Sequence, residues 1–151
     1  MAGYFLDTSA LGKHYHPEAG TPDVDRIFQT PGAQLLISRL AVVEIHSAFA
    51  RKVRTREITE ADFRLLISLF RADIAQKVIK VARMKLGHFQ EAARLIEKHS
   101  LTKSLRTLDS IQLAVALDLH SQGRLDHFVS ADKDLCAVAQ AEGLTVISPV
   151  P

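Results

Sequence analysis

The chain has 151 residues and a formal net charge of +2, with 47% hydrophobic and 24% charged residues. This length suits one domain with a sizeable core, and this composition argues against a largely disordered chain. The mild basicity permits nucleic-acid binding without demanding it. A single cysteine, Cys136, excludes an intrachain disulfide and a zinc site built from several thiolates.

The N-terminus lacks a basic start and a long apolar stretch, and no apolar run approaches the roughly 20 residues of a membrane span. With the single cysteine, these features predict a cytoplasmic protein without a membrane partner. No repeat, low-complexity segment or linker interrupts the sequence. Residues 1–151 are therefore predicted to form a single domain.

In the first half of the chain, short apolar runs alternate with helix-start signals. Thr21 is predicted to cap a helix with Pro22 at its first helical position, since both residue types are typical of those places. The full set of predictions is a strand at 4–6, a helix reaching 15, the helix capped by Thr21, a strand at 35–37, a helix from Ser38 or Arg39 through 53, and a helix from Thr59 through 70.

The second half of the chain repeats this alternation. Thr107 is predicted to cap a helix, and Gly123 and Gly143 follow helices as stop signals. The predicted elements are a strand at 77–81, helices at 87–99 and 108–119, a strand at 127–130, a helix at 132–141 and a strand at 144–147. Short apolar strands separated by helices predict an α/β fold with a parallel sheet covered on both faces.

Four carboxylates stand out by their positions in this pattern. Asp7 closes the first strand, Asp132 follows the strand at 127–130, and Asp109 opens an apolar helix. Glu44 lies inside a helix where its neighbours three and four residues away are apolar or small, which is costly for a carboxylate without a partner. The carboxyl ends of parallel strands share one edge of a sheet, where ligands bind, so these acids are expected to converge.

Each acid also has a simpler interpretation. Asp7 is a suitable helix cap, and Asp109 and Asp132 suit the first turn of a helix because of the helix dipole. Glu44 could be half exposed or paired with Arg39 or Arg51. Taken together, however, converging carboxylates raise one another's pKa values, and a divalent cation relieves that repulsion. Oxygen-only ligands suit Mg²⁺ or Mn²⁺ better than Zn²⁺.

Four segments carry a resemblance to a known family. They are D-T-S-A-L from Asp7, S-x-x-x-x-x-E ending at Glu44, L-R-T-L-D-S-I-Q-L-A-x-A-L around Asp109, and V-S-A-D-K-D-L around Asp132. In this order they resemble the PIN-domain ribonucleases, and most of all the VapC-type toxins of bacterial and archaeal toxin–antitoxin pairs. The resemblance covers nearly the whole chain. It implies a PIN-like three-layer α/β/α fold with a central parallel sheet of about five short strands.

The resemblance also implies a function. Asp7, Glu44, Asp109 and Asp132 match the family's catalytic, metal-binding quartet, and Ser9 and Ser130 match hydroxyl positions that support it. Asp134 remains an alternative to Asp132. The implied activity is Mg²⁺- or Mn²⁺-dependent endonucleolytic hydrolysis of RNA that leaves 5′-phosphates. The implied partners are an RNA substrate, a small antitoxin protein whose C-terminal segment covers the groove, and a second copy of the chain.

Positive charge near the acids is expected to contact RNA phosphates. Lys13 and Arg106 lie nearest the acids in sequence, and Arg39 and Lys133 are further candidates. The denser run from Arg51 to Arg56 is equally explained as a solvated helix end favoured by the dipole.

Two other functions compete with the nuclease. The first is a catalytically silent PIN-fold module that binds RNA or protein without cutting. The second is a phosphatase-type enzyme with Asp7 as nucleophile, which is weakened because that class usually carries a second Asp where this chain has Ser9. The pair His14 and His16 has no third histidine or thiolate close by in sequence, so a zinc site there is not expected.

Overall fold

The computed structural model describes residues 2–149. Strands and helices alternate along this part of the chain, as the sequence predicted. The elements are β1 (Gly3–Leu6), α1 (Thr8–Tyr15), α2 (Thr21–Phe28), β2 (Gln34–Ser38), α3 (Arg39–Arg54), α4 (Glu60–Ala75), β3 (Ile79–Ala82), α5 (Leu86–His99), α6 (Thr107–Ser121), β4 (His127–Val129), α7 (Lys133–Ala141) and β5 (Val146–Ile147).

The five strands form one sheet in the order β3-β2-β1-β4-β5, and every pair is parallel. Because successive strand residues point to opposite faces, each face of the sheet has its own core. Phe5, Leu36 and Phe128 pack against the later helices, whereas Leu6, Ile37 and Val129 pack against the earlier ones. The predicted three-layer α/β/α fold is therefore confirmed. Between residues 2 and 149, every helix is too short or too polar to cross a bilayer.

The helix predicted to start with a Thr21 cap begins differently. Gly20 is the N-cap, with φ of 91°, and Thr21 is already helical. The Thr21 hydroxyl instead donates to the Lys13 carbonyl and accepts the Glu18 N–H, so it closes the preceding loop. A Cβ at position 20 would collide with the Pro149 carbonyl, which explains glycine there.

Other boundaries also differ from the predictions for local reasons. Thr107 is the first helical residue rather than the cap, and Arg106 precedes it in extended conformation. The strand predicted at 77–81 begins at Ile79, because Lys77 has φ of 61° where the chain leaves α4. Asp132 caps its helix rather than lying inside it. These shifts place both Arg106 and Asp132 in loops, where their side chains reach neighbouring elements.

Candidate active site

The predicted acidic residues lie at the carboxyl edge of the sheet. Asp7 follows β1, and Ser130 and Asp132 follow β4, which is the neighbour of β1. Asp109 lies in the first turn of α6. Glu44 reaches the same region from α3, where it lines a cleft with Asp109. The fold therefore brings four separated carboxylates to one end of the molecule.

Asp7 is held by both of its oxygens and is only 4% exposed. Oδ1 accepts bonds from the Ser9 hydroxyl at 2.7 Å and the Ala10 N–H at 2.9 Å, so Asp7 does cap α1. Oδ2 accepts from the Ser130 hydroxyl at 2.6 Å. Burial raises the pKa of the Asp7 carboxyl to about 6 despite these bonds, and the Asp109 charge adds to the rise.

Ser9 and Ser130 connect Asp7 to the loop that carries Asp132. The Ser9 oxygen accepts the Ala131 N–H, and the Ser130 oxygen accepts the Asp132 N–H, both at 3.1 Å. Asp132 itself caps α7 through Oδ1, which accepts the Leu135 N–H at 2.9 Å. The two hydroxyls thus fix the position of one acid relative to the other.

Arg106 is the cation that approaches these acids. Its Nε lies 3.4 Å from Oδ2 of Asp109, and its Nη2 lies 3.9 Å from Oδ2 of Asp132. Its side chain is 76% exposed, so this pairing is weak. Burial raises the pKa of the Asp109 carboxyl, and the charges of Asp132 and Glu44 raise it further against the opposing effect of Arg106.

Glu44 pairs with neither Arg39 nor Arg51 within the described residues. Its Oε1 instead accepts from the Thr8 hydroxyl at 2.9 Å and from Nε2 of Gln112. The same Nε2 also donates to the Thr8 oxygen at 2.8 Å. Neutral donors therefore hold Glu44, and its negative charge is not cancelled by an ion pair.

These residues have the chemistry that a hard divalent cation requires. Carboxylate oxygens are the preferred ligands of Mg²⁺ and Mn²⁺, and the pKa values of Asp7 and Asp109 are raised first by burial and further by neighbouring acids. Over residues 2–149, however, no three His, Cys, Asp or Glu side chains close on a common point as a metal cage. Mg²⁺ keeps several waters and needs only one or two carboxylates directly, so an open arrangement fits a hydrated ion.

The three other cations predicted to contact RNA phosphates have different surroundings from Arg106. Lys13 is buried, and its ammonium group donates to Glu18 and to the Ala19 carbonyl at 2.7 Å. Arg39 lines a cleft beside β3 together with Lys77 and Lys80. Two strands, β2 and β1, separate β3 from β4. Lys133 is exposed at the start of α7. Among residues 2–149, Arg106 is the one of these four side chains that forms ion pairs with Asp109 and Asp132.

Asp132 and Asp134, the two candidates for the last site residue, have different hydrogen-bond partners. Asp134 accepts the Ser104 N–H at 2.9 Å and so anchors the loop before α6. Asp132 contributes to the raised pKa of Asp109, whereas Asp134 does not. The arrangement favours Asp132 as the site residue.

Two clefts differ in what they offer a ligand. One of about 350 Å³ is lined by Glu44, Arg106, Thr107, Leu108 and Asp109, and it opens onto the carboxylates. A larger one of about 520 Å³ lies between α5 and α6, beside His88 and Asp118. Those two side chains are 2.7 Å apart and satisfy each other. The larger cleft is therefore the less suited of the two to bind a cation.

Sequence reasoning missed Thr8 and Gln112. Both stand inside the segments that carried the resemblance, one residue after Asp7 and three residues after Asp109. The spacing of three placed Gln112 on the same side of α6 as Asp109, which is the signal that could have identified it.

Comparisons with known proteins agree with this architecture. The sequence profile of the PIN domain matches residues 4–146. No match was found among curated protein sequences. The Mycobacterium tuberculosis VapC20, a sarcin–ricin loop cleaving toxin, aligns with a TM-score of 0.69 and 16% identity over 97% of this chain and 99% of that chain.

Two further solved structures are similar. FitAcB from Neisseria gonorrhoeae aligns with a TM-score of 0.68 and 15% identity over 97% of each chain. VapBC2 from Rickettsia felis, solved with a DNA fragment from their promoter, aligns with a TM-score of 0.63 and 10% identity over 97% of this chain and 98% of that chain. At such identities the likeness establishes the fold.

The parallel sheet, the helices on both faces and the acids at its carboxyl edge define a three-layer α/β/α protein with a candidate cation site. Within that class, the profile match over 4–146 assigns the chain to the PIN domain family.

Proposed function

We propose that this protein is a metal-dependent endoribonuclease and the toxin of a toxin–antitoxin pair. The observation that carries the proposal is the group of four carboxylates at one sheet edge, two of which have raised pKa values. Buried, uncompensated negative charge costs stability, and a bound cation would relieve that cost.

In this proposal Asp7, Glu44, Asp109 and Asp132 hold Mg²⁺ or Mn²⁺. Ser9 and Ser130 keep Asp7 in place through their hydroxyls. Such an ion would supply Lewis-acid chemistry at this edge of the sheet, activating water and neutralising charge on the phosphodiester. Arg106, which is exposed beside Asp109, then contacts an RNA phosphate.

The substrate and partners belong to the same proposal. VapC20 is described as cleaving the sarcin–ricin loop, which supports RNA as the substrate class. FitAB bound to a DNA fragment and a toxin–antitoxin complex from Klebsiella pneumoniae have similar folds, which supports a small antitoxin partner. We also propose a cytoplasmic homodimer in which residues 1–151 form one domain.

A surface for the antitoxin is available on the helices after β2. Val43 on α3 and Leu65 and Leu69 on α4 are large apolar side chains that are about half exposed or more. Exposed apolar side chains on neighbouring helices suit a partner helix or strand.

A catalytically silent binding module is the second candidate. It is favoured by the absence, among residues 2–149, of three side chains arranged as a metal cage. The two candidates differ in one outcome, which is cleavage of RNA.

The test compares two aspartates that stand two residues apart. Purified protein is incubated with total RNA and Mn²⁺, beside Asp132→Asn, Asp134→Asn and a chelator control, and the cut ends are mapped. Asp132→Asn is expected to lower the cleavage rate by at least about 100-fold, because a metal ligand is lost. Asp134→Asn is expected to retain most activity, because its carboxylate only anchors a loop.

Discrete cuts with 5′-phosphates that require Mn²⁺ and Asp132 would support the nuclease. Cleavage that survives in Asp132→Asn and in the chelator would contradict the assigned site. RNA binding without any cleavage by wild-type protein, across total RNA from several sources, would favour the binding module.

A further inference from the structure

Glu44 is held by a side chain that stands outside the acidic quartet. We propose that Gln112 is the positioning residue that fixes the Glu44 carboxylate for cation binding, with Thr8 as a second donor to the same carboxylate oxygen. The inference rests on the proposed function, since it assigns Gln112 a role in the same cation site.

Three separate elements meet at this point. Thr8 is the first residue of α1, Glu44 lies in the middle of α3, and Gln112 lies in the second turn of α6. One Glu44 oxygen, Oε1, receives both the Thr8 hydroxyl and the Gln112 Nε2. The second oxygen, Oε2, makes no hydrogen bond within residues 2–149, and Glu44 lines the cleft beside Asp109. Gln112 thus holds one oxygen and leaves the other for a ligand.

The orientation of the Gln112 amide follows from this chemistry. A carboxylate accepts hydrogen bonds and cannot donate them when ionised, so the NH₂ end of the amide must face Glu44. The Thr8 hydroxyl uses its one proton on Glu44 and accepts the second Gln112 proton at 2.8 Å. The three groups form a closed set in which each donor has one compatible acceptor.

Core packing alone does not account for glutamine at this position. Gln112 is 2% exposed, and its Oε1 has no hydrogen-bond partner among the described residues. Burial of an unsatisfied amide oxygen is unfavourable, and an apolar side chain of similar length would avoid it. The other residues from Ile111 to Ala116 along this stretch of α6 are apolar and buried. The hydrogen bond from the amide nitrogen to Glu44 therefore explains why glutamine occupies this position.

The position of Gln112 also couples two acids of the site. It follows Asp109 by three residues on α6, so both side chains lie on neighbouring positions of one helix face. The helix that presents Asp109 to the cleft thereby fixes the distance of Glu44 from it. Side chains that orient metal ligands commonly contribute about tenfold to a hundredfold in metal affinity.

The experiment measures Mn²⁺ binding by calorimetry and needs no RNA substrate. Gln112→Met keeps the length of the side chain and removes the donor, and Gln90→Met on the exposed side of α5 is the matched control. Gln112→Met is expected to weaken Mn²⁺ binding about tenfold. Gln90→Met is expected to bind as wild type does.

A double-mutant cycle separates positioning from a general packing role. In a Glu44→Gln background, Gln112→Met is expected to cause no further loss, because the carboxylate through which Gln112 acts is gone. An equal loss in both backgrounds would overturn the proposal. Thr8→Val, which keeps shape and removes the hydroxyl, is expected to weaken Mn²⁺ binding less than Gln112→Met, and it carries the test if Gln112→Met does not fold.

The outcomes distinguish this inference from the proposed function. If wild-type protein binds Mn²⁺ and Gln112→Met binds it equally well, the inference fails and the proposed function stands. If wild-type protein does not bind Mn²⁺, both are overturned.

Discussion

Two groups of carboxylates in this molecule have pKa values shifted in opposite directions, down at Glu142 and up at Asp7 and Asp109. At the end of α7, Glu142 contacts three side chains of α5: Arg94 at 2.7 Å, Lys98 at 2.9 Å and His99 at 2.7 Å. Burial alone would raise the pKa of Glu142, but bonds from Arg94, His99 and Lys98 outweigh it and hold the pKa at about 2. At the carboxyl edge of the sheet, among residues 2–149, Arg106 is the cation that pairs with Asp109 and Asp132, and it does so weakly.

Under the proposed function, the first cluster stabilises the fold and the second binds a cation. Around Glu142 each charge has a partner, so ionisation stabilises the fold. Around Asp7 burial raises the pKa to about 6, so ionisation opposes folding at neutral pH. Strain of this kind persists where function requires it, and a bound cation would convert the second cluster into something like the first.

The largest expected effect on stability comes from the Glu142 cluster. Glu142→Gln should lower the free energy of unfolding by about 2 kcal/mol, because it leaves Arg94 and Lys98 without their anionic partner while both stay partly solvated. Chemical denaturation at pH 7 measures this loss. Glu97→Gln, at an exposed position on α5, is the control and should change little. An unchanged stability in Glu142→Gln would remove the contrast between the clusters.

The acidic cluster should respond in the opposite direction. In metal-free protein at pH 7.5, Asp7→Asn is expected to raise the free energy of unfolding by about 1–2 kcal/mol, since a shift of one pKa unit corresponds to about 1.4 kcal/mol. The gain should shrink as pH falls from about 6 toward 3.8, where the folded and unfolded wild-type chains both protonate this carboxyl. Over the range from 4.5 down to about 2, wild-type protein instead loses the stability that Glu142 supplies. Chemical denaturation at several pH values measures both the gain in Asp7→Asn and the loss in wild-type protein. An Asp7→Asn variant less stable than wild type at pH 7.5 would contradict the destabilising role of the Asp7 charge.

Replacing Arg106 is expected to have the smallest effect, and to change Mn²⁺ affinity and RNA affinity in opposite directions. Arg106→Ala should strengthen Mn²⁺ binding by roughly twofold to fivefold, because it removes a competing positive charge near Asp109 and Asp132. The same variant should weaken RNA binding and reduce its dependence on salt by about one phosphate contact. Lys103→Ala, in the same loop and exposed, is the control. Parallel changes of both affinities in one direction would mean that Arg106 has a single role.

Much of the fold was predictable from the sequence because the strands are short apolar runs that end at polar residues. Asp7 and the Ser130–Asp132 segment follow such runs directly, so their meeting at one edge followed from parallel pairing. Helix starts were less predictable. Thr21 and Thr107 have the right chemistry for caps, but the loop geometry places Gly20 and Arg106 there.

The features of the site that were not predictable depend on contacts between elements that are distant in sequence. Gln112 and Glu44 are 68 residues apart. The spacing from Asp109 places Gln112 on the side of α6 that faces the site, but it does not indicate that the amide contacts Glu44 on α3. Lys13 is close to Asp7 in sequence, yet its ammonium group turns to Glu18 and the Ala19 carbonyl. The pairing of Lys13 with Glu18 depends on how the loop after α1 folds back, which the sequence does not indicate.

The most direct test of the central claim is thermal denaturation of the metal-free protein with and without Mn²⁺, beside Asp109→Asn. If the unpaired carboxylates hold a divalent cation, Mn²⁺ at about 100 times its dissociation constant should add roughly 2.7 kcal/mol to wild-type stability. That corresponds to a rise in Tm of about 5–10 °C, and it should be absent in Asp109→Asn. No rise in wild-type protein, or an equal rise in the variant, would contradict the claim that these carboxylates form a cation site.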